Sequence, residues 1–232
     1  MKKLIVYALI GTSVTLFTKC HKDDNSEEQP QPQRVIFTFD KEKVDKKEAK
    51  MYSVSIHYYD ESKEKAVMDY NNNLREEPGE KYKGISEIYN IPYEVMSIVS
   101  SNMKDLSFSA EGLLKAEINH EGLKKFFSQT YESDNFQLLI TNAPKLEQID
   151  FSGPVVIKAL QFPSDPQRVA SLKQIAFAHN FLTEGRDTFF KTLPDRKGKE
   201  QGVLSLNKKI TLTPEENEAL DQRNWKVIKT EY

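Results

Sequence analysis

A short apolar unit recurs through the second half of this chain and limits the folds open to it. The unit reads apolar-x-x-apolar-x-apolar. It occurs as Met103..Leu106.Phe108, Leu113..Ala116.Ile118, Leu146..Ile149.Phe151, Ile157..Leu160.Phe162 and Leu172..Ile175.Phe177. Leu123..Phe126.Ser128 is a worn copy, the polar Asn135 opens Asn135..Leu138.Ile140, and Val95..Ile98 is a partial one. First positions fall at 103, 113, 123, 135, 146, 157 and 172, nearly evenly spaced until the longer last step. Positions 4 and 6 point the same way on a short strand, with position 1 packed behind them. A unit this small cannot bury its own apolar face, so neighbouring units must stack.

Taken in alternate pairs, the copies opening at 103, 123, 146 and 172 have the spacing of leucine-rich repeats, roughly 20–29 residues. The last copy, Leu172 to Leu182, fills every position of L-x-x-L-x-L-x-x-N-x-L. Its Asn180 is expected to bond the backbone of adjacent turns from inside the stack. Thr183 is expected to cap a helix running through Leu193, and Gly202 to Leu206 to form a strand. Thr213-Pro214-Glu215-Glu216 signals a helix start, with Thr as cap and Pro at the first position. Trp225 and Val227 suit a closing strand, with Trp225 covering the end of the core.

Residues from about 95 to 232 resemble the leucine-rich-repeat surface proteins of Bacteroidota, of the short-repeat type. The cadence of Leu139 to Ser152 and the helix-strand pattern from Phe189 to Val227 carry the likeness. The resemblance implies an α+β solenoid: a short, irregular leucine-rich-repeat array with a helix-strand C-terminal cap. Ahead of it, Val35, Phe37 and Phe39, then the alternating Met51 to Tyr58, then Ala66 to Tyr70, read as strands of a small β unit. The expected organisation is a signal peptide at 1–19, a lipidated cysteine and tether at 20–33, the β unit at 34–84 and the repeat domain with its cap at 85–232.

The N-terminus says where such a domain works. Met1-Lys2-Lys3 is basic, Leu4 to Phe17 is apolar, and Cys20 follows, the one cysteine of the chain. A basic start, an apolar run and a cleavage point describe a secretory signal, and the run is shorter than the roughly 20 residues of a spanning helix. Cys20 looks like the acylated cysteine of a bacterial lipoprotein, although Lys19 stands where a small residue is usual. Lys22, Asp23 and Asp24 resemble the export signal that takes Bacteroidota-type lipoproteins to the outer face of the outer membrane. The Gln/Pro-rich segment up to Gln33 reads as an extended tether.

Cleavage before Cys20 removes Lys2, Lys3 and Lys19 and takes the formal net charge from −2 to −5. An acidic chain with interspersed lysines is a poor nucleic-acid binder. No metal, phosphate-loop, nucleophile-elbow or calcium signature is apparent, so no catalytic residue, cofactor or metal ligand is nominated. The expectation is a lipid-anchored, surface-exposed, non-enzymatic protein that meets an unidentified protein partner through its repeat surface. Positions 3 and 5 of the units face outward from the strands. They nominate Asp105, Ser107, Lys125, Gln148, Asp150 and Gln174 for ligand contact. Two alternatives share the anchor. One is a periplasm-facing structural or accessory envelope lipoprotein. The other is a glycan binder that uses Tyr52, Tyr58, Tyr59 and Tyr70 of the β unit.

Overall fold

The computed structural model describes residues 32–63, 66–75, 81–82, 85–88, 90–131, 135–154 and 156–231. Cys20, Lys22, Asp23 and Asp24, the signal peptide and nearly all of the tether lie outside the described residues. Among the described residues the strands are β1 (Arg34–Phe39), β2 (Lys50–Tyr58), β3 (Ala66–Asp69), β4 (Lys81–Tyr82), β5 (Ile85–Ile88), β6 (Val95–Val99), β7 (Met103–Glu111) and β8 (Leu113–Asn119). They continue with β9 (Lys125–Tyr131), β10 (Phe136–Asn142), β11 (Gln148–Phe151), β12 (Ile157–Gln161), β13 (Gln174–Phe177), β14 (Gly202–Asn207) and β15 (Trp225–Thr230). The helices are α1 (Lys41–Asp45), α2 (Arg186–Thr192) and α3 (Pro214–Gln222), with a 3-10 turn at Pro166–Val169.

This is not the expected α+β leucine-rich-repeat solenoid. Among the described residues strand is the predominant regular structure, in two mixed sheets. The seven-stranded sheet runs β12-β10-β8-β1-β6-β3-β4, and the eight-stranded sheet runs β15-β14-β13-β11-β9-β7-β2-β5. The physical reason lies in the half-period. In a leucine-rich repeat one strand forms per full period. Here every copy of the apolar unit forms a strand, and successive copies alternate between the sheets. The copies opening at Met103, Leu123, Leu146 and Leu172 give β7, β9, β11 and β13, all parallel neighbours in one sheet. Those opening at Leu113, Asn135 and Ile157 give β8, β10 and β12, parallel in the other. Parallel strands need a crossover, which is usually a helix. From β7 to β13 the crossover is a strand of the opposite sheet, and helices α2 and α3 make the crossovers only from β13 to β14 and from β14 to β15.

The register then stacks position 4 upon position 4. Leu106, Phe126, Ile149, Ile175 and Leu204 align across one sheet, and Ala116, Leu138 and Leu160 across the other. All of these side chains are buried. Aromatic rings knit the sheets together. Phe37 meets Phe108 edge-on at 4.9 Å, and Phe136 meets Phe151 at 6.1 Å, a geometry that suits ring quadrupoles. The chain turns from β7 to β8 at Gly112, whose φ of 73° favours glycine.

The N-terminal strands form no unit of their own. β1 sits between β8 and β6 in the middle of its sheet, and β2 pairs with β7 in the other, antiparallel in each case. Val35, Phe37 and Phe39 are fully buried, and burial on that scale needs a facing sheet, which three isolated strands lack.

The C-terminal end differs in detail from expectation. α2 is capped by Gly185 at φ 65°, and Thr183 instead joins β12 through its N–H to the Ile157 carbonyl. Asn180 is exposed. The chain turns after Phe177, and Phe181 takes the inside place, 4.9 Å from Phe177 and 5.9 Å from Phe189. The capping box at Thr213 forms as expected: Thr213 Oγ1 accepts from the Glu216 N–H at 3.2 Å, and Glu216 Oε2 accepts from the Thr213 N–H at 2.8 Å. Trp225 is fully buried against Gly202 and donates from Nε1 to the Pro194 carbonyl at 2.8 Å.

Candidate functional site

In the eight-stranded sheet, positions that alternate with the buried rows point away from the core. One outward row reads His57, Asp105, Lys125, Gln148, Gln174, Val203 and Lys226 across β2, β7, β9, β11, β13, β14 and β15. The next reads Ser55, Ser107, Phe127, Asp150, Ala176, Ser205 and Ile228. Strands are spaced about 4.8 Å apart, so each row is a regular ladder of side chains. All six nominated residues fall in these two rows. Asp105, Lys125, Gln148 and Gln174 are direct neighbours in the first. Ser107 and Asp150 stand in the second, separated by Phe127.

Ser107 and Lys125 are exposed, and the other four are half-buried. The two acids sit in unequal settings. Asp105 Oδ2 lies 3.5 Å from Nδ1 of the exposed His57. Its Oδ1 is buried and has no hydrogen-bond partner among the described residues. Asp150 is flanked by Phe127 and by the buried Ala176. Burial raises its carboxyl above the ordinary range, because desolvation disfavours the charged form. The face therefore offers amides, hydroxyls, a lysine and two under-compensated carboxylates at fixed spacing.

His57 and Phe127 escaped the sequence reading. The alternation of β2 put His57 on the same side as Ser53 and Ser55, but its place beside Asp105 depends on pairing between strands far apart in the chain. Phe127 is masked by its core neighbour Phe126 in the worn copy. The four tyrosines of the glycan alternative are dispersed. Tyr58 is buried and accepts from the Ala66 N–H at 3.2 Å, Tyr52 donates to the Glu111 carboxylate, and Tyr70 packs against the core. Tyr59 is exposed.

Comparison of the chain with protein-family models, with curated proteins and with solved structures found no match.

Proposed function

We propose that this chain is a lipid-anchored, surface-exposed, non-enzymatic binding protein that meets a protein partner through the outward face of the eight-stranded sheet. The observation that carries the reading is the register of that face. Asp105, Lys125, Gln148 and Gln174 stand side by side, with Ser107 and Asp150 in the next row. A rigid sheet holds such groups with little ordering cost on binding. The apolar leader ending at Cys20 supports attachment by acyl chains, and Lys22-Asp23-Asp24 supports the outer face.

The test is site-specific photocrosslinking in intact native cells. A photoreactive residue at Ser107 or Lys125 should give adducts with a protein of discrete mass, whereas the same residue at Glu218, exposed on α3, should give none. Adducts of equal yield at all three positions, or at none, would refute the assignment. Cys20→Ala should release the chain from the membrane fraction, and protease added to whole cells should clip the wild type.

A further inference from the structure

The formal net charge of the chain is −2, yet the turns leading into the eight-stranded sheet collect cations. Lys104, Lys124, Glu147 and Lys173 form one row at the strand entrances. The Lys124 N–H donates to the Lys104 carbonyl at 2.6 Å, Glu147 to Lys124 at 2.8 Å, and Lys173 to Glu147 at 3.0 Å. The Glu147 carboxylate bridges Lys173 at 2.9 Å and Lys124 at 3.5 Å. These lysines, Lys173 foremost, hold it below the ordinary carboxylate range. One acid thus serves two bases. Lys104, Lys125, Lys145 and Lys199 have no carboxylate partner among the described residues.

Each end of this strip has a feature of its own. Beyond Lys173 lies an open hollow of about 360 Å³, lined by Glu147, Lys173, Arg196, Lys199 and Glu200 among others. The Arg196 residue is 5% exposed, and its guanidinium donates to carbonyls alone: Nε to Glu200 at 2.8 Å and Nη1 to Leu172 at 2.7 Å. A buried cation without a counter-ion is costly, and carbonyl dipoles repay part of the cost. An anion in the hollow would repay more, since guanidinium pairs well with planar and tetrahedral oxyanions. At the other end Tyr59 is 46% exposed. Its hydroxyl donates to the Gly122 carbonyl at 2.7 Å, which fixes the ring, and Lys145 Nζ stands 5.8 Å from the ring centre. Tyr59 follows β2 and Lys173 precedes β13. Four strand spacings separate those strands, about 19 Å.

We infer that this strip binds an acidic polysaccharide, its sugar ring lying on Tyr59 and its sulfate or carboxylate groups meeting the lysines and Arg196. The aromatic face suits the apolar side of a pyranose, and the neighbouring cations suit its charged substituents. The interleaved carboxylates decide between a polysaccharide and a nucleic acid. Sugar hydroxyls can donate to Glu147 and Glu200. An oligodeoxynucleotide backbone carries phosphates but almost no free hydroxyls, so it leaves those acids unpaired where a sugar satisfies them.

The experiment is calorimetric titration of the full-length chain in detergent with four probes: heparin, polygalacturonate, neutral dextran and a single-stranded oligodeoxynucleotide. Heparin should bind, with affinity that falls steeply as salt rises. Polygalacturonate tells whether sulfate is required or carboxylate suffices. Lys104→Glu/Lys145→Glu, Lys199→Glu and Tyr59→Ala should each weaken binding at least tenfold while leaving the urea midpoint in place. Lys46→Glu/Lys209→Glu, at the opposite end of the sheet, should leave binding unchanged. Silence toward both acidic polysaccharides would overturn the inference. So would equal affinity for dextran or for the oligodeoxynucleotide, or an equal loss in the Lys46/Lys209 variant.

Discussion

Where β14 meets β15 at the edge of the sheet, Trp225 packs directly on Gly202, and a double-mutant cycle tests how closely the two are fitted. A Cβ placed on Gly202 would come within 2.4, 2.6 and 2.7 Å of Cδ2, Cε3 and Cε2 of Trp225. No rotation of a flexible tip relieves this, because the ring is fully buried and tied by its N–H to Pro194. Gly202→Ala should therefore cost about 1–3 kcal/mol, the range for overpacking a filled core. Trp225→Ala should cost about 3–5 kcal/mol through the cavity it leaves. Once the ring is gone, the same glycine substitution meets open space, and alanine is then favoured in a strand by about 0.5–1 kcal/mol. Combining both changes should accordingly reveal a coupling of about 1.5–4 kcal/mol. Urea unfolding followed by far-ultraviolet circular dichroism measures all four proteins. Fluorescence of Trp225, the one tryptophan of the chain, reports the closing strand in the two that retain it. If Gly202→Ala costs the same with and without the ring, the contact does not set the fit and the reasoning fails.

Three further outcomes follow from buried polar groups. His120 is fully buried, its Nε2 is 2.7 Å from the Ser100 carbonyl, and its Nδ1 has no partner among the described residues; burial pushes its pKa below the ordinary value. The unfolded chain then binds a proton that the folded chain refuses, so this group's stability is full above about pH 6.5 and is lost as pH falls toward the folded value. Urea midpoints compared at pH 7.5 and 5 should show a fall that His120→Gln reduces. The hydroxyls of Ser128 and Thr130 pair at 2.6 Å inside the core, so Ser128→Ala should cost about 1–3 kcal/mol by stranding its partner, while Ser128→Ala/Thr130→Val should be near neutral by the same measurement. Asp150, raised by burial, destabilises the fold where it is charged; Asp150→Asn should raise the thermal midpoint at pH 7 and lose that advantage at pH 3, and a fall at pH 7 would refute it.

Much of the β architecture could be read locally, because period-two alternation and the apolar unit are properties of a few consecutive positions. β2, β3 and the capping box at Thr213 fall where those signals put them. What misled was the choice of period. The spacing of the copies allows one strand per pair of copies, with a helix or turn between, or one strand per copy in alternating sheets. The apolar pattern is identical in both cases, since either arrangement buries positions 1, 4 and 6. The deciding information is the length between copies. After Ile118 the next first position is already Leu123, too near for a helical crossover but far enough for a turn into the facing sheet. The placement of β1 between β6 and β8 was not local at all. It rests on antiparallel pairing that joins Arg34 to Asn119.

The outward face was partly legible for the same reason: once positions 4 and 6 are inside, positions 3 and 5 are outside, whichever sheet they enter. That argument supplies the residues and omits their energetics. Asp105 keeps one buried oxygen without a donor among the described residues, and Asp150 is held half-buried between strands carrying Phe127 and Ala176. Each carries a cost in the unbound chain: at Asp105 a buried acceptor without a donor loses the hydration it had in the unfolded state, and at Asp150 desolvation opposes the charge. A serine or asparagine at either position would avoid the charge. On the reading proposed above, a partner that brings N–H or cationic donors to these two carboxylates recovers that cost on binding. The free chain should then gain stability from Asp150→Asn, while the crosslinked adducts at Ser107 and Lys125 should weaken with either Asp150→Asn or Asp105→Asn. Stability and adduct yield moving in opposite directions would tie the strain to recognition; moving together, they would mark these acids as ordinary parts of the fold.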